Sequence, residues 1–365
     1  MTGTTLAYLG PEGTFTHQAA IEAAGLLAPV LGGEPRLEAL PDVPAIMSAV
    51  ESGEAWGVIA WENNVEGYVV PNLDALIDAH DAVGFARVGV DVAFDAFVRE
   101  PGTETDRSVA EYNGAHVYAH SHDGRSGGPS VAASSDSVAS VAEYNGAHVY
   151  AHSHGLAQCK RFIAEHGLIP EPASSNGAAC RDLKPGDVAF GPSICGRLYG
   201  LTTIGTAVQD YQGARTEFLV LAPRDEATGL LERARQDGVD EYETIITFIP
   251  LSTGPGVLAN LLDVLRDAGL NMTSFISRPI KGHAGTYSFI ATIDAAPWQR
   301  QFQDVLTEVA EHGDWVKTLA VYPRRERPNP PVDAWMLPEG GVHLDAAHLS
   351  ADWQNDAVTR RELMW

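Results

Sequence analysis

The sequence predicts an α/β fold in two units, a larger one built on a largely parallel sheet and a smaller βαββαβ sandwich. Three observations carry this expectation. Short apolar runs alternate with stretches of helical periodicity through residues 5–222. A polar, charged segment then interrupts the pattern at 224–241. Beyond it the order strand, helix, strand, strand, helix, strand occurs once, the signature of a ferredoxin-like sandwich.

In the first unit Thr5–Gly10 reads as a strand, apolar and ending at Gly-Pro, and Phe15–Leu27 as the helix after it. Asp42-Val43-Pro44 starts a second helix, with Ile46, Met47 and Val50 at helical spacing. Trp56–Ala60 reads as a buried strand, and Pro71 suits the first turn of the next helix. Strands at Ala147–Tyr150, Asp187–Phe190 and Thr216–Ala222 follow, with helices at Gly155–His166 and Ile194–Tyr199. The second unit has strands at Thr244–Ile249, Met272–Ser277, Thr286–Ile293 and Val316–Val321, and helices at Gly256–Asp267 and Trp298–Glu311. From Arg324 the chain is rich in Pro, Gly and Asp, lacks a clear period and is expected to be irregular.

One 15-residue stretch, Ser-Val-Ala-Glu-Tyr-Asn-Gly-Ala-His-Val-Tyr-Ala-His-Ser-His, occurs identically at Ser108–His122 and Ser140–His154. A single exact duplication is not a solenoid, whose repeats diverge and number three or more. The second copy runs directly into Gly155-Leu-Ala-Gln-Cys159 and takes the structural role. The first copy and the Gly/Ser-rich link after it read as an exposed insertion near 108–140 rather than a metal site at His116, His120 and His122.

Composition narrows the function. The formal net charge of −24 opposes nucleic acid and anionic membranes as partners. It also repels small anions at long range, so an anion site must be built locally from a few cations, helix N-termini and backbone N–H groups. No apolar run is long enough to span a membrane, and the N-terminus lacks the pattern of a secretory leader. Three cysteines, Cys159, Cys180 and Cys195, without metal-ligand spacing suit a reducing cytoplasm. Neither a metal nor a cofactor is expected.

Three loops carry candidate chemistry. Gly10-Pro-Glu-Gly13-Thr14-Phe15-Thr16 joins a strand to a helix, where glycine lets the backbone approach a ligand and first-turn N–H groups favour an anion. Glu62-Asn63-Asn64-Val65-Glu66-Gly67 follows the buried strand, at the end where open α/β sheets bind ligands. Asn63 and Asn64 offer amide donors without negative charge. Arg215-Thr216-Glu217-Phe218 enters a strand, so Arg215 and Glu217 share one face and Thr216 takes the other.

Together these segments resemble the catalytic domain of prephenate dehydratases. The resemblance implies a two-lobed, periplasmic-binding-protein-like catalytic domain at 1–223, with the site in the cleft. It implies catalytic roles for Thr216, Glu62 and Asn63, with Thr216 assisting the leaving hydroxyl. Substrate contacts are implied for Gly13, Thr14, Phe15, Thr16, Asn64, Ser174, Ser175, Arg215 and Phe218, and orienting the loop is the simpler role for Glu62. The family usually has arginine where this chain has Glu217, so Arg215 would replace that charge only through a register shift or bulge. His152 fits a family histidine, followed here by Ser153-His154.

After a linker at 224–241, residues 242–323 resemble the ACT regulatory domain of the same enzymes, with a tail at 324–365. Gly256, Val257, Leu258, Asn271, Ser277, Arg278 and Pro279 are the implied contacts of a phenylalanine effector, with Ile276 in place of the usual glutamate. The resemblance therefore implies prephenate as substrate, phenylalanine as effector, and a homodimer or homotetramer. A prephenate decarboxylase that retains the hydroxyl, and a non-catalytic aromatic amino-acid sensor, are the alternatives.

Overall fold

A computed structural model describes residues 4–101, 141–252, 254, 256–283, 285–324, 332–344 and 353–364. The chain divides into units Met1–Arg324 and Arg325–Trp365. In the first, Thr5–Leu9 forms β1, with Leu6, Ala7 and Tyr8 buried. Thr14 caps helix α1 (Phe15–Leu31) by accepting the His17 N–H, and Gly32 ends it in the left-handed conformation. Strand β2 (Arg36–Leu40) pairs parallel with β1. Asp42 caps α2 (Val43–Glu51), which carries Pro44 in its first turn. Strand β3 (Trp56–Asn63) flanks β1 on the other side, also parallel. The short β4 (Gly67–Tyr68) folds back on β3, and α3 (Val70–Asp78) leads to β5 (Val83–Asp91).

The chain then crosses to a second sheet made of β6 (Asp95–Val98), β7 (His148–Ala151), β8 (Ile169–Pro172), β9 (Val188–Gly191) and β10 (Thr202–Gly205). Their order is β10-β6-β9-β7-β8. Helices α4 (Ser153–Gln158), α5 (Lys160–Glu165), α6 (Asn176–Arg181) and α7 (Ile194–Tyr199) connect them. The chain returns as β11 (Arg215–Ala222), which inserts antiparallel between β3 and β5. The two crossings are tied together, Val92 N–H donating to Ala214 O and Val208 N–H to Phe94 O.

The first sheet is therefore mixed rather than largely parallel, because β11 arrives from the second lobe and runs against its neighbours. The helix expected over Gly155–His166 is two helices broken at Cys159, whose backbone leaves the helical region. Residues 141–154 of the second repeat copy supply a 3₁₀ turn, β7 and the start of α4. The first copy, with His116, His120 and His122, lies outside the described residues.

The segment read as a linker is largely helix α8 (Arg224–Gln236), with Asp225 and Glu226 in its first turn and Arg233 and Arg235 in its last, matching the helix dipole. Its Ala227, Leu230 and Leu231 pack into the core shared by α1 and β5. Next come β12 (Tyr242–Ile249), α9 (Val257–Asp267), β13 (Met272–Pro279), β14 (Tyr287–Ile293), α10 (Arg300–Glu311) and β15 (Trp315–Pro323). Their strand order is β13-β14-β12-β15.

This sandwich sheet continues into the first sheet through β15 and β5, which pair parallel at Ala320 and Gly84. One of its faces packs Ile246, Phe248 and Ile293 on Leu265, Phe302 and Val305 of its own helices. The other face packs Ile245, Ile290 and Leu319 with Ile46 of α2 and Leu73 and Leu76 of α3. Lys317 on β15 donates to the Ile77 carbonyl at 2.7 Å and to that of Ala79, at the C-terminal end of α3 where a cation is favoured. In the second unit Asp356 caps helix α11 (Ala357–Leu363), and Glu362 accepts the Gly341 N–H.

The join of the two sheets has no room for a larger residue, since a Cβ on Gly84 would lie 2.7 Å from the Ala320 Cβ. Gly84→Val is expected to cost about 1–3 kcal/mol by overpacking, read as a lower midpoint in urea unfolding.

Candidate active site

Strand β11 presents Thr216 and Phe218 to the α1 side of the sheet, and Arg215, Glu217 and Leu219 to the α2–α3 side. Phe218 accordingly packs with the alanines of α1, and Leu219 packs with α2 and α3. Thr216 lies directly opposite Asn63 of β3, and Asn63 Nδ2 donates to Thr216 Oγ1 at 2.9 Å. Asn63 Oδ1 accepts the N–H groups of Val65 and Glu66 at 2.8 and 3.0 Å. One amide thus folds the turn after β3 and orients the threonine. Because the Thr216 oxygen accepts from Asn63, its own proton is available to another acceptor.

Asn64 has a different task from the substrate donor expected. Its Oδ1 accepts the Arg215 N–H and its Nδ2 donates to the Gly213 carbonyl, both at 2.8 Å, so its amide fastens the turn to β11. Glu62 is not beside Thr216 either. A β-bulge at Trp61, opposite the Glu217–Phe218 step, puts Glu62 across from Glu217 on the far face. Burial pushes its carboxyl pKa up, with Arg87 opposing and Glu217 reinforcing the shift.

Arg215 stays with Glu217. Its Nε donates to Glu217 and its Nη1 to Asp91, each at 2.9 Å. The register of β11 against β5 is regular through Arg215–Val220, so no shift carries this guanidinium to the Thr216 face.

The loop before α1 is packed from both lobes. Thr14 Oγ1 donates to Pro11 O at 3.0 Å while capping α1, whereas the Thr16 hydroxyl makes no hydrogen bond among the described residues. Gly13 N–H donates to His17 Nδ1 at 3.0 Å, and the His17 ring stacks on Tyr8. Burial pushes the His17 pKa down to about 4, so the ring is neutral with its proton on Nε2. From the second lobe, Tyr199 Oη donates to Glu12 O at 2.7 Å and Cys195 Sγ to Gly13 O at 3.1 Å. A Cβ on Gly177 would fall 2.4 Å from Glu12 O, so α6 approaches this loop closely only because it carries glycine there.

Ser175 caps α6 by accepting the Ala178 N–H at 3.0 Å, Asn176 Oδ1 accepts the His152 N–H at 2.8 Å, and Ser174 is exposed. Phe15 packs edge-on against Phe94 and touches the cores of both lobes. Across the cleft Glu66 accepts from Gln158 Nε2 at 3.3 Å and lies 3.5 Å from His154 Nδ1. The structure thus gathers Gly13, Thr14, Phe15, Thr16 and Ser175 at the lobe junction, with Thr216, Asn63 and Phe218 on the same sheet face as α1. Glu62 and Arg215 lie on the opposite face.

In the sandwich, Gly256 has φ 89° at the start of α9, and Val257 and Leu258 form that helix's first turn. Asn271 donates to Asp294 at 2.6 Å. Ser277, Arg278 and Pro279 end β13, and Arg278 Nη2 lies 3.2 Å from each carboxylate oxygen of Asp74 on α3. Sequence reasoning missed Asp74, Arg87, His17, Cys195 and Tyr199, whose partners lie outside any local motif, except that His17 sits four residues from Gly13.

Two α/β lobes joined by paired crossings, with loops of both packed at their junction, define a two-lobed class of α/β protein. Within it, the prephenate dehydratase family model matches residues 6–122 and 135–226. The chain belongs to the prephenate dehydratase family. A prephenate dehydratase of Mycolicibacterium vanbaalenii is 31% identical over 303 residues, covering 78% of this chain and 80% of that one. One of Mycolicibacterium gilvum is 29% identical over 294 residues, covering 78% and 79%. The crystal structure of prephenate dehydratase from Arthrobacter aurescens in complex with L-Phe has the same fold, with a TM-score of 0.64 at 22% identity over 90% of this chain and 92% of that one.

Buried His17 gives a pH prediction. Unfolded, the ring takes a proton near 6.5, and folded near 4, so the unfolded state binds the extra proton between these values. Its contribution is complete above pH 6.5 and is lost as pH falls toward 4, by at most about 3 kcal/mol. His17→Gln is expected to flatten the fall of the denaturation midpoint between pH 7 and 4 relative to the wild type.

Proposed function

We propose that this chain converts prephenate to phenylpyruvate by decarboxylative dehydration, with the Thr216 hydroxyl assisting departure of the ring hydroxyl. The observation that carries this reading is the Asn63–Thr216 hydrogen bond, in which the threonine oxygen accepts and its proton stays available to a leaving oxygen. As the C–COO⁻ bond breaks, its electrons enter the ring. The ring hydroxyl leaves, taking up a proton as water, and carbon dioxide departs. Formation of the aromatic ring supplies the driving force, so the protein orients the substrate, hydrogen-bonds the leaving oxygen and keeps the departing carboxylate poorly solvated. Phe15 is assigned to the wall, and the first-turn N–H groups of α1 with Thr16 and Ser175 to the carboxylates, while Phe218 is buried in the core rather than at the substrate.

Thr216→Ala is expected to lower phenylpyruvate formation by about 10²–10³-fold, and Thr216→Ser to retain most of it, in a direct turnover assay. Unchanged turnover by Thr216→Ala would remove Thr216 from the chemistry. Carbon dioxide without phenylpyruvate from the wild type would favour the decarboxylase, and tight phenylalanine binding without turnover the sensor.

We infer further that residues 242–323 form an ACT regulatory domain that binds phenylalanine, 1–223 being the catalytic domain. The βαββαβ order supports this reading, as does the L-Phe bound to the Arthrobacter relative. Pairing of a second copy along β13, the outer strand of the sandwich sheet, suits a homodimer or homotetramer. Three free cysteines suit a cytoplasmic setting.

The Arg278–Asp74 pair ties the Ser-Arg-Pro turn to α3, the helix just after the Glu62–Gly67 loop. Asp74→Asn is expected to shrink the effect of phenylalanine on turnover by at least about fivefold, with phenylalanine affinity by calorimetry little changed. An undiminished effect would place the coupling elsewhere.

A further inference from the structure

Glu217 adjoins Thr216 in the chain but faces the other way, and both of its carboxylate oxygens are engaged. Oε1 accepts from Arg215 Nε at 2.9 Å and Oε2 lies 3.1 Å from Arg87 Nε. Arg87 is held in turn by Glu243 of β12 at 3.2 Å and lies over the Tyr322 ring of β15 at 5.5 Å. The Arg215 guanidinium lies against Gly89, directly across from Glu217, where a Cβ would come within 2.3 Å of it. Only glycine on β5 lets this arginine reach along the strand to Glu217 and Asp91.

This engagement lies at the outer edge of the buried part of β11. The bulge in β3 interrupts the register between Glu217 and Phe218, and Thr216 lies on the outer side of that break. The apolar core that fixes Phe218 to Ala222 stops there. Glu62 sits directly across from Glu217, so two carboxylates would repel unless cations stood beside them. Arg87 and Arg215 supply those cations, and the Glu217 side chain is only 19% exposed, which strengthens the pairs relative to surface ones. An arginine at 217 would instead bring a third guanidinium to the two already there.

We propose that Glu217 is a positioning residue for the dehydration. Held between Arg87 and Arg215, it fixes β11 beyond the bulge so that the Thr216 hydroxyl stays on the Asn63 amide. This inference rests on the dehydratase reading of Thr216. It makes Arg87, anchored on β12 and β15, the far support of the catalytic strand.

The test uses the full-length enzyme and measures kcat, KM and the urea midpoint for the wild type, Glu217→Gln, Arg87→Met and the double variant. Glu217→Gln keeps the size of the side chain and removes its charge. Each single variant is expected to lose kcat by about tenfold or more through misplacement of the hydroxyl, with KM within about twofold of the wild type. The double variant is expected to be no worse than the worse single one, because both break the same link. Wild-type kcat in Glu217→Gln, or losses that simply multiply, would overturn the proposal. Activity lost only in step with folded protein would assign a purely structural role and would overturn it too. A wild type that makes no phenylpyruvate would instead remove the dehydratase reading itself.

Discussion

The structure turns on one strand. β11 comes back from the second lobe and fills the gap between β3 and β5, closing the first sheet and tying the lobes together. Phe218, Leu219, Val220, Leu221 and Ala222 are all essentially inaccessible to solvent, and burying each larger side chain contributes roughly 1.5–3 kcal/mol. That anchorage holds the inner part of the strand, and Thr216 and Glu217 lie just before it. Thr216 meets Asn63 on the α1 face, while Glu217 meets two arginines on the other. The alternation of a β-strand thus puts the hydroxyl and the charges on opposite faces.

Electrostatics in this acidic chain are local. A net charge of −24 gives no general attraction for an anion, yet the lobe junction offers helix starts at Thr14 and Ser175 and no carboxylate among the cap residues. Glu62, Glu217 and Asp91 lie on the face opposite Thr216, with Arg87 and Arg215. The sheet itself separates them from the Thr216 hydroxyl.

The sandwich is built into the sheet of the first lobe rather than appended by a loose tether. Its inner strand β12 is buried on both faces, with α9 and α10 on one side and α2 and α3 on the other. Helix α3 is gripped along its length, at Asp74 by Arg278 and at its C-terminal carbonyls by Lys317. Asn72 in α3 in turn donates to the Ala60 carbonyl of β3 at 2.7 Å, so side-chain contacts link the sandwich, α3 and β3.

Much of this was legible in the sequence. Buried runs such as Trp56–Ala60, capping residues such as Asp42 and Thr14, and the βαββαβ order after residue 241 are local signals that fixed element types. The three loop motifs located the threonine, the asparagine pair and the glycine turn, and alternation alone put Arg215 with Glu217. Strands such as β8, Ile-Pro-Glu-Pro, carry no local β signal and exist through pairing with β7. Residues 224–241 read as polar linker because three buried apolar positions among charges give a thin stripe, which a neighbouring core turned into a helix face over 224–236. The bulge at Trp61 that moved Glu62, the use of Asn64 to bind backbone, and the link from Glu217 through Arg87 to Glu243 were decided by tertiary structure alone. Each depends on which strands become neighbours, and a strand's partners are set by packing across the whole sheet rather than by the residues beside it in the chain.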